Sequence, residues 1–429
     1  MSAAPSHARV LLASFIGTAI EFYDFYIYAT ATSLVFGALF FPAGSPAAGQ
    51  IAAFATFAVA FIARPLGAAF FGHFGDRVGR KSTLVVSLLT MGMATTLVAA
   101  LPTYATAGIW APVALCVLRF GQGFGLGGEW GGAALLAVEH APPGWRVRYG
   151  SAPQMGAPAG FLAANGLFLV LGTVLTPDQF RDWGWRLPFA ISALLVVLGL
   201  WIRLKLDETP EFRRSIEQAP PPSVPMAELV QRHGRALVIG TLAAIACFAT
   251  YYIATAFALS YGVKTLGLPM QEMLGIQLGA ILFLALGIQA AAWLADAAWD
   301  GRRTLMLGCA AVVVVAPLMG PLMGSGAPAE IFAFLALALF LMGFVYGPLG
   351  AWLPDLFPPR VRYSGASMAF NIAGVLGGGL TPLVAQLLAG RYGLAAVGAY
   401  GGAMAAVSLA ALAVARAGRG TASQPALGN

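Results

Sequence analysis

The chain has 429 residues, of which 59% are hydrophobic and only 10% are charged, against about 25% charged residues in ordinary soluble domains. This composition excludes a water-soluble globular fold and predicts a protein whose solvent is the lipid bilayer. The formal net charge of +7 does not indicate nucleic-acid binding, because the basic residues stand between apolar segments, where a positive-inside bias explains them.

Twelve apolar runs are each long enough to cross a membrane as a helix, which needs about 20 residues. They predict an all-α membrane protein with twelve transmembrane helices. The runs cover approximately residues 10–41, 51–74, 82–101, 111–138, 151–175, 187–206, 235–262, 271–297, 304–323, 331–355, 363–390 and 394–416. No small-residue cleavage site follows the first run, so we expect that run to remain as the first helix.

The basic residues between these runs predict the orientation. Of the 24 lysines and arginines, 18 fall in the inner loops and tails if both termini are cytoplasmic, 4 fall in the outer loops, and Arg64 and Arg119 fall inside the membrane. The positive-inside rule therefore predicts cytoplasmic termini and a multi-pass location in the cell inner membrane.

A long hydrophilic stretch, residues 207–234, contains five prolines among mixed charges and predicts a cytoplasmic linker. It separates an N-terminal six-helix bundle, residues 1–206, from a C-terminal six-helix bundle, residues 235–416. Residues 417–429 are then a cytoplasmic tail that we expect to be disordered. The sequence Arg-Val-Arg-Tyr at residues 146–149 recurs at residues 360–363, six helices later, so the two bundles are predicted to be pseudo-repeats.

Six motifs occur along nearly the whole chain in a characteristic order: Glu21-Phe22-Tyr23-Asp24-Phe25, Ala63-Arg64-Pro65-Leu66-Gly67, the loop from Gly72 to Lys81, Gly127-Gly128-Glu129-Trp130-Gly131-Gly132, Trp183-Gly184-Trp185-Arg186-Leu187-Pro188-Phe189 and Glu208-Thr209-Pro210-Glu211-Phe212. With these motifs the chain resembles the major facilitator superfamily and, within it, the metabolite:proton symporters. Characterised members carry shikimate, 2-oxoglutarate, citrate, or proline and betaines, usually with a proton. The resemblance implies a monomeric transporter of a small carboxylated solute that works by alternating access.

Charged residues inside the predicted helices are the candidates for the mechanism, because each costs about 2.5–3.5 kcal/mol to insert into a membrane. Asp24 is our first candidate for the proton-coupling acid, Glu21 the second and Glu129 the third. Glu21 and Asp24 are three residues apart, so we expect them to share one helix face. The alternative is that Glu21 or Asp24 forms a permanent ion pair with Arg64 that only holds helices together.

Arg119 and Arg64 are the candidates for binding an anionic substrate group, because the guanidinium fork meets a carboxylate through two hydrogen bonds. The alternative is that they are buried counter-ions of the acids. The second half has no equivalent charges, so we expect it to shape recognition of the rest of the solute. Its candidate substrate-binding residues are polar or aromatic: Tyr251, Tyr252, Gln277, Tyr346, Trp352 and Asn371.

A gate on the cytoplasmic side is implied by the resemblance for the loop after the second run. Its acid, Asp76, could pair with a basic group or with the positive N-terminus of a neighbouring helix. The second-half counterpart is degraded, since Asp296 and Gly301 are five positions apart. The predicted gate residues are Gly72, Asp76, Arg77, Arg80, Glu139, Arg146, Asp296 and Arg360.

The fourth run carries glycine at every fourth position, at Gly123, Gly127 and Gly131. Small residues at this spacing predict a close contact between helices. Residues 123–128 also match GxGxxG formally, but a dinucleotide fingerprint has to lie between a strand and a helix. We therefore predict no nucleotide cofactor, and transport would be driven by gradients.

Three other functions stay open at this point. The protein could be a uniporter or exchanger that moves an organic acid or zwitterion without protons. It could be a membrane-embedded enzyme, although Cys116, Cys247 and Cys309 lack metal-ligand spacing and no metal is predicted. It could also be a sensor that binds its ligand without transporting it.

Overall fold

A computed structural model describes residues 7–42, 45–78, 80–204 and 225–415. Within these ranges, the structure does not describe the side chains of residues 7–10, 13, 72, 75–78, 80–82, 84, 136, 202–203, 225–227 and 360. No strand occurs in the described ranges. An all-helical architecture is what the hydrocarbon requires, because each helix satisfies its own backbone hydrogen bonds without water.

Most of the chain before residue 205, which we call the first half, is helical. Its α-helices are His7–Ala31, Gly37–Phe40, Pro46–Val78, Arg80–Val98, Tyr104–Ala107, Trp110–Leu126, Trp130–Glu139, Arg146–Gln154, Gly156–Val174, Pro177–Asp182 and Leu187–Leu204. Single π-helical and 3₁₀ turns, Thr32–Phe36 and Gly184–Arg186, connect some of them.

The chain from residue 225 onward, the second half, has the same character. Its α-helices are Pro225–Tyr252, Ala258–Lys264, Met270–Ala297, Gly301–Val315, Met319–Gly324, Pro328–Trp352, Arg362–Gly374, Thr381–Tyr392 and Leu394–Val414. Two π-helical turns, Ile253–Phe257 and Val375–Gly379, and three 3₁₀ turns, Ala316–Leu318, Pro354–Leu356 and Pro359–Val361, join them.

The predicted linker coincides only partly with the described chain. Residues 205–224 and the predicted tail, 417–429, lie outside the described residues, whereas residues 225–234 already belong to the helix Pro225–Tyr252. Proline suits the first position of a helix, where no backbone donor is needed. The helix is interrupted at His233, whose φ of −123° and ψ of 16° are not helical. This kink separates residues 225–232 from the rest of the helix.

Nine helical stretches in the described ranges are long and apolar enough to cross a membrane. They are Pro46–Phe71, Arg146–Val174, Gly184–Trp201, Glu228–Lys264, Met270–Ala297, Gly301–Gly324, Pro328–Trp352, Arg362–Tyr392 and Leu394–Val414. The prediction of a multi-span helical protein is thereby confirmed. The count of twelve spans, the six-plus-six division and the cytoplasmic termini stay predictions.

Glycines allow helix backbones to touch inside the bundle, as the spacing in the fourth run predicts. A Cβ atom at Gly123 would overlap the backbone of Ala60, and one at Gly127 would overlap the backbone carbonyl of Arg64. Gly131 faces the side chain of Ser367, from the second half. The predicted seam is therefore confirmed as a contact surface.

We predict that Gly123→Ala lowers the melting temperature of the purified protein, because overpacking of this kind costs about 1–3 kcal/mol. The matched control is Gly166→Ala, since a Cβ atom there meets nothing within 4 Å. The control should keep or raise the melting temperature, because alanine favours a helix by about 1 kcal/mol over glycine. Equal melting temperatures for the two variants would contradict the packing argument.

Candidate functional site

A cavity lies between the two halves, near the middle of the bundle. Nine of its sixteen lining residues are aromatic. The lining consists of Thr18, Glu21, Phe22, Phe25, Tyr26, Arg64, Leu126, Trp130, Ala157, Cys247, Phe248, Tyr251, Tyr252, Met342, Tyr346 and Phe370. The cavity has a volume of about 40 Å³, whereas one water needs about 10–15 Å³. It therefore has room for a few waters.

Arg64 is a charged residue of this lining and comes from the helix Pro46–Val78. Its Nε donates a hydrogen bond of 2.9 Å to Oδ1 of Asn371, in the second half. The guanidinium carbon lies 5.3 Å from the ring centre of Phe61 and 5.9 Å from that of Phe25. A buried cation is thus held by an amide and by aromatic faces, and its position at the cavity makes it available to an anionic ligand.

The two acids of the helix His7–Ala31 lie in different surroundings. Glu21 lines the cavity, whereas Asp24 does not and is fully buried. Oδ1 of Asp24 accepts a hydrogen bond of 2.5 Å from the Ser192 hydroxyl, and Oδ2 has no hydrogen-bond partner among the described residues. The two acids are about 60° apart around a helix of 3.6 residues per turn, and of the two only Glu21 reaches the cavity.

Asp24 makes no ion pair with either buried arginine in the described structure. An ionised carboxylate at this position would be buried without a counter-ion, which costs several kcal/mol. A proton on Oδ2 would remove that cost. The permanent pair of Asp24 with Arg64, considered above as an alternative, is absent from this arrangement.

Arg119 lies away from the cavity lining and is completely buried. Its guanidinium carbon is 3.8 Å from the ring centre of Tyr28, 4.5 Å from that of Phe25 and 4.8 Å from that of Phe57. One nitrogen, Nη1, donates to the Gln122 side-chain oxygen, while Nε and Nη2 have no hydrogen-bond partner among the described residues. Aromatic faces, which attract cations most strongly when water is excluded, thus surround this arginine.

Glu129, the third acid candidate, is also buried and outside the lining. Its Oε1 accepts a hydrogen bond of 2.9 Å from the Ser87 hydroxyl. The same hydroxyl lies 2.5 Å from the carbonyl oxygen of Gly125. Glu129 therefore connects helices of the first half in this closed arrangement, and the adjacent residue, Trp130, reaches the cavity instead.

The second-half candidates divide into two groups. Tyr251, Tyr252 and Tyr346 line the cavity. Gln277, Trp352 and Asn371 are not part of the lining. The amide of Gln277 donates to the carbonyl oxygens of Ala254 at 3.1 Å and Thr255 at 2.8 Å, which bridges two helices of the second half.

The sequence did not indicate most of the aromatic lining, because charged groups inside the predicted helices were the main criterion for the candidates. The additional residues are Phe22, Phe25, Tyr26, Trp130, Phe248 and Phe370. Trp130 and Phe370 stack face to face across the two halves, with ring centres 3.7 Å apart. The dense aromatic run from Phe22 to Tyr28 was the available signal, because Phe22, Phe25 and Tyr26 are three and four residues apart and therefore lie on one helix face.

One end of the cavity, which we call the Asp296 side, is closed by contacts between the halves. The carboxylate of Asp296 accepts hydrogen bonds from the backbone amides of Val147, at 3.1 Å, and Arg148, at 2.9 Å. These are the second and third residues of the helix Arg146–Gln154, which has no side-chain cap from its own N-cap residue. Asp296 therefore caps a helix of the other half, where a negative charge is stabilised by the helix dipole.

Further contacts reinforce this side. The Arg148 guanidinium lies 3.6 Å from Asp296 and packs between Trp145 and Trp293, one ring from each half. Arg146 pairs with Asp355 at 3.0 Å, in a half-exposed position. The closure thus combines one buried carboxylate with an exposed ion pair.

Of the other predicted gate residues, only Glu139 has a described side chain. The side chains of Gly72, Asp76, Arg77, Arg80 and Arg360 lie outside the described residues. Glu139 is exposed. The role of this set stays a prediction.

The opposite end, the Lys264 side, is closed as well. The π-helical turns Thr32–Phe36 and Ile253–Phe257 meet there, because the hydroxyl of Ser33 donates to the carbonyl oxygen of Ala256 at 3.0 Å. The ammonium group of Lys264 donates to the side-chain oxygen of Gln50. The Gln271 amide donates to the carbonyl oxygen of Gly172 at 2.6 Å. The halves therefore touch at both ends, and the cavity is occluded.

Comparison with known families identifies this architecture. A family model described as sugar (and other) transporter matches residues 10–220 and matches again at residues 213–415. The chain belongs to the major facilitator superfamily. The resemblance drawn from the motifs is thereby confirmed.

Relatives of this major facilitator protein are transporters. The inner membrane metabolite transport protein YhjE of Escherichia coli (strain K12) is 50% identical over 95% of this chain and 93% of its own. The shikimate transporter of the same organism is 40% identical over 89% of this chain and 87% of its own. The chain is accordingly a multi-pass transporter of the cell inner membrane, not an enzyme.

Solved structures of the superfamily share the fold. The partially occluded inward-open xylose transporter XylE from E. coli has a TM-score of 0.74, covers 94% of this chain and 96% of its own, and is 16% identical. A D-xylose-proton symporter structure has a TM-score of 0.73 with the same coverage and 17% identity. At these identities the likeness shows the fold alone.

We predict that Asp296→Ala accelerates hydrogen exchange at the amides of Val147 and Arg148, by about 2- to 30-fold, since loss of a cap costs about 0.5–2 kcal/mol. Mass spectrometry of the protein in nanodiscs would measure this exchange. The control is Asp300→Ala, because Asp300 caps its own helix by accepting from the Arg303 amide at 2.8 Å. The control should accelerate exchange at Arg303 and leave residues 147–148 unchanged; the reverse result would rule out the cap between the halves.

Proposed function

We propose that this major facilitator protein is a proton-coupled symporter of a small carboxylated metabolite. The observation that carries the proposal is Arg64, a buried arginine that lines an occluded cavity between the two halves. In the proposed cycle, the bundles 1–206 and 235–416 rock about this cavity, and its two ends open alternately. The Asp296 side faces the cytoplasm, in keeping with the positive-inside bias, and the Lys264 side faces outward.

The substrate carboxylate would bind to Arg64 rather than to Arg119. Arg64 lines the cavity, whereas Arg119 is enclosed by three aromatic rings and Gln122. A guanidinium can hold a carboxylate through two charge-assisted hydrogen bonds. The relative named a shikimate transporter supports a carboxylic acid as the solute, and Tyr251, Tyr252 and Tyr346 would contact its remaining atoms.

The proton would be carried by Glu21 or Asp24. Glu21 lies at the cavity, where it can exchange protons with water when an end opens. Asp24 is buried with an unpartnered oxygen, so its charge state would depend on the helix arrangement around it. The neighbour in fold named a D-xylose-proton symporter supports proton coupling. One proton crossing 100 mV yields about 2.3 kcal/mol, enough for about a fortyfold concentration ratio.

The decisive first experiment is a thermal-shift screen of the purified protein. The compounds are mono-, di- and tricarboxylates, shikimate, proline and glycine betaine, with uncharged sugars as controls. A compound that binds only the folded protein at 100 times its Kd stabilises it by about 2.7 kcal/mol. We expect carboxylates to raise the melting temperature. Stabilisation by sugars alone would refute the carboxylate part of the proposal.

We predict that Arg64→Lys weakens binding of the acid found in that screen by about 10- to 150-fold, because the variant loses a charge-assisted hydrogen bond of about 1.5–3 kcal/mol. Isothermal calorimetry would measure the affinity. Arg119→Lys is the matched comparison, and it should change the melting temperature more than the affinity. The opposite pattern would return the substrate role to Arg119.

We predict that Asp24→Asn abolishes accumulation of the acid driven by a proton gradient in proteoliposomes, while exchange across equal proton concentrations continues. Glu21→Gln, tested in parallel, decides which acid carries the proton. Asp178→Asn, at an exposed position, should accumulate the acid like the unaltered protein. Full accumulation by both buried variants would remove both acids from the role. Absence of proton-driven accumulation and of alkalinisation in the unaltered protein would favour a uniporter or exchanger.

A further inference from the structure

Asn371 joins the two halves through both ends of its side-chain amide. It lies on the helix Arg362–Gly374 and is 1% exposed. Its Oδ1 accepts from Nε of Arg64 at 2.9 Å, and its Nδ2 donates to the carbonyl oxygen of Gly127 at 2.8 Å. Both partners belong to the first half, but they come from different segments of it. The amide therefore bridges three segments at one buried point.

This bridge determines which edge of Arg64 is available to a ligand. A guanidinium has five N–H donors in a fixed planar fork, and Asn371 occupies the one on Nε. The aromatic rings of Phe61 and Phe25 lie against the guanidinium carbon. The terminal edge, with Nη1 and Nη2, is then the edge that matches a carboxylate through two parallel bonds.

The same helix makes neighbouring contacts with the first half. Phe370 stacks on Trp130 at 3.7 Å, and the hydroxyl of Tyr363 donates to the carbonyl oxygen of Gly128. Because these contacts share one helix, separation of that helix from residues 127–130 would break the bonds of Asn371 together with them.

We propose that Asn371 is a positioning residue that couples closure of the two halves to the orientation of Arg64. The amide holds the terminal edge of Arg64 toward the cavity only while the helix Arg362–Gly374 lies against Gly127. Opening at this level releases Arg64, so a bound carboxylate and the closed arrangement stabilise each other. This inference rests on the proposed role of Arg64, and it places Asn371 behind the substrate site instead of in contact with the solute.

The native thiol of Cys247 allows a test of closure that needs no substrate. Cys247 lines the cavity and is 1% exposed, so N-ethylmaleimide reaches it only when the cavity opens. The alkylation rate of this residue, assigned by peptide mass spectrometry, reports the open population. Cys116 and Cys309 are distinguished by their own peptides.

We expect Asn371→Leu to raise the alkylation rate of Cys247 at least fivefold. Arg64→Lys, which removes Nε, should raise the rate when Asn371 is present and should add less than twofold once Asn371→Leu is present. Asn371→Ala serves as a second variant with the same expectation if the leucine variant does not fold. Asn165→Leu is the matched control, because this buried amide accepts from Thr30 within the first half; its rate should stay within twofold.

Two results would overturn the inference. One is an unchanged Cys247 rate in both folded Asn371 variants. The other is an effect of Arg64→Lys that is equally large with and without Asn371, since the two residues would then act independently. Either result concerns closure alone and leaves the proposed transport of a carboxylate standing.

A second measurement separates the failure of the proposed function from failure of the inference. Millimolar shikimate should slow Cys247 alkylation in the unaltered protein. The shikimate concentration that gives half of the maximal protection should be at least tenfold higher in Asn371→Leu. Equal protection in both proteins would show that Asn371 does not position Arg64. Absence of protection in the unaltered protein would argue against shikimate as the solute, while the coupling between Asn371 and Arg64 would still be decided by the alkylation rates.

Discussion

In the hydrocarbon of a bilayer there is no water to solvate polar groups, so each one has to find its partner inside the protein. The backbone meets this constraint by forming helices. The side chains meet it by bridging helices, as Gln122 does when its amide donates to the Asp24 carbonyl oxygen and to the Thr95 hydroxyl, both at 2.9 Å. Arg119 shows a third solution, since the faces of aromatic rings take the place of a carboxylate. The positions of the charged groups follow from these partnerships.

Contacts between the halves include both packed glycines and single hydrogen bonds. Gly350, in the second half, leaves no room for a Cβ atom beside the carbonyl oxygen of Gly150, in the first half. Between the halves, several hydrogen bonds join one side chain to one backbone group: the Val147 amide donates to Asp296, Asn371 donates to the Gly127 carbonyl oxygen and Ser33 donates to the Ala256 carbonyl oxygen. Such bonds contribute about 1 kcal/mol each. Closures built from a few of them can open in turn, which alternating access requires.

The charged and the aromatic residues of the cavity have different roles. Arg64 and Glu21 supply the charged groups of the lining, and the aromatic residues of both halves supply its walls. Among the described residues the lining contains no asparagine or glutamine, so a solute would find few neutral hydrogen-bonding partners there beyond tyrosine hydroxyl groups and Thr18. Asp24 stands one turn away on the same helix as Glu21, bonded to Ser192. Movement of that helix would therefore affect the cavity acid and the buried acid together.

The sequence by itself determined the solvent, the helical class and the superfamily, because composition, apolar run length and ordered motifs are local properties of the chain. It also identified Arg64, Glu21 and three tyrosines that reach the cavity, since burying a charged group or a hydroxyl without a partner costs free energy. It could not decide which way each side chain points. Glu21 and Asp24 differ by a fraction of a helical turn, yet one faces the cavity and the other faces Ser192. Arg119 and Arg64 have the same chemistry, and only the packing of Tyr28, Phe25 and Phe57 encloses the first. The pairing of Asn371 with Arg64 spans 307 positions, and such a contact is set by the docking of two halves, which no local pattern contains.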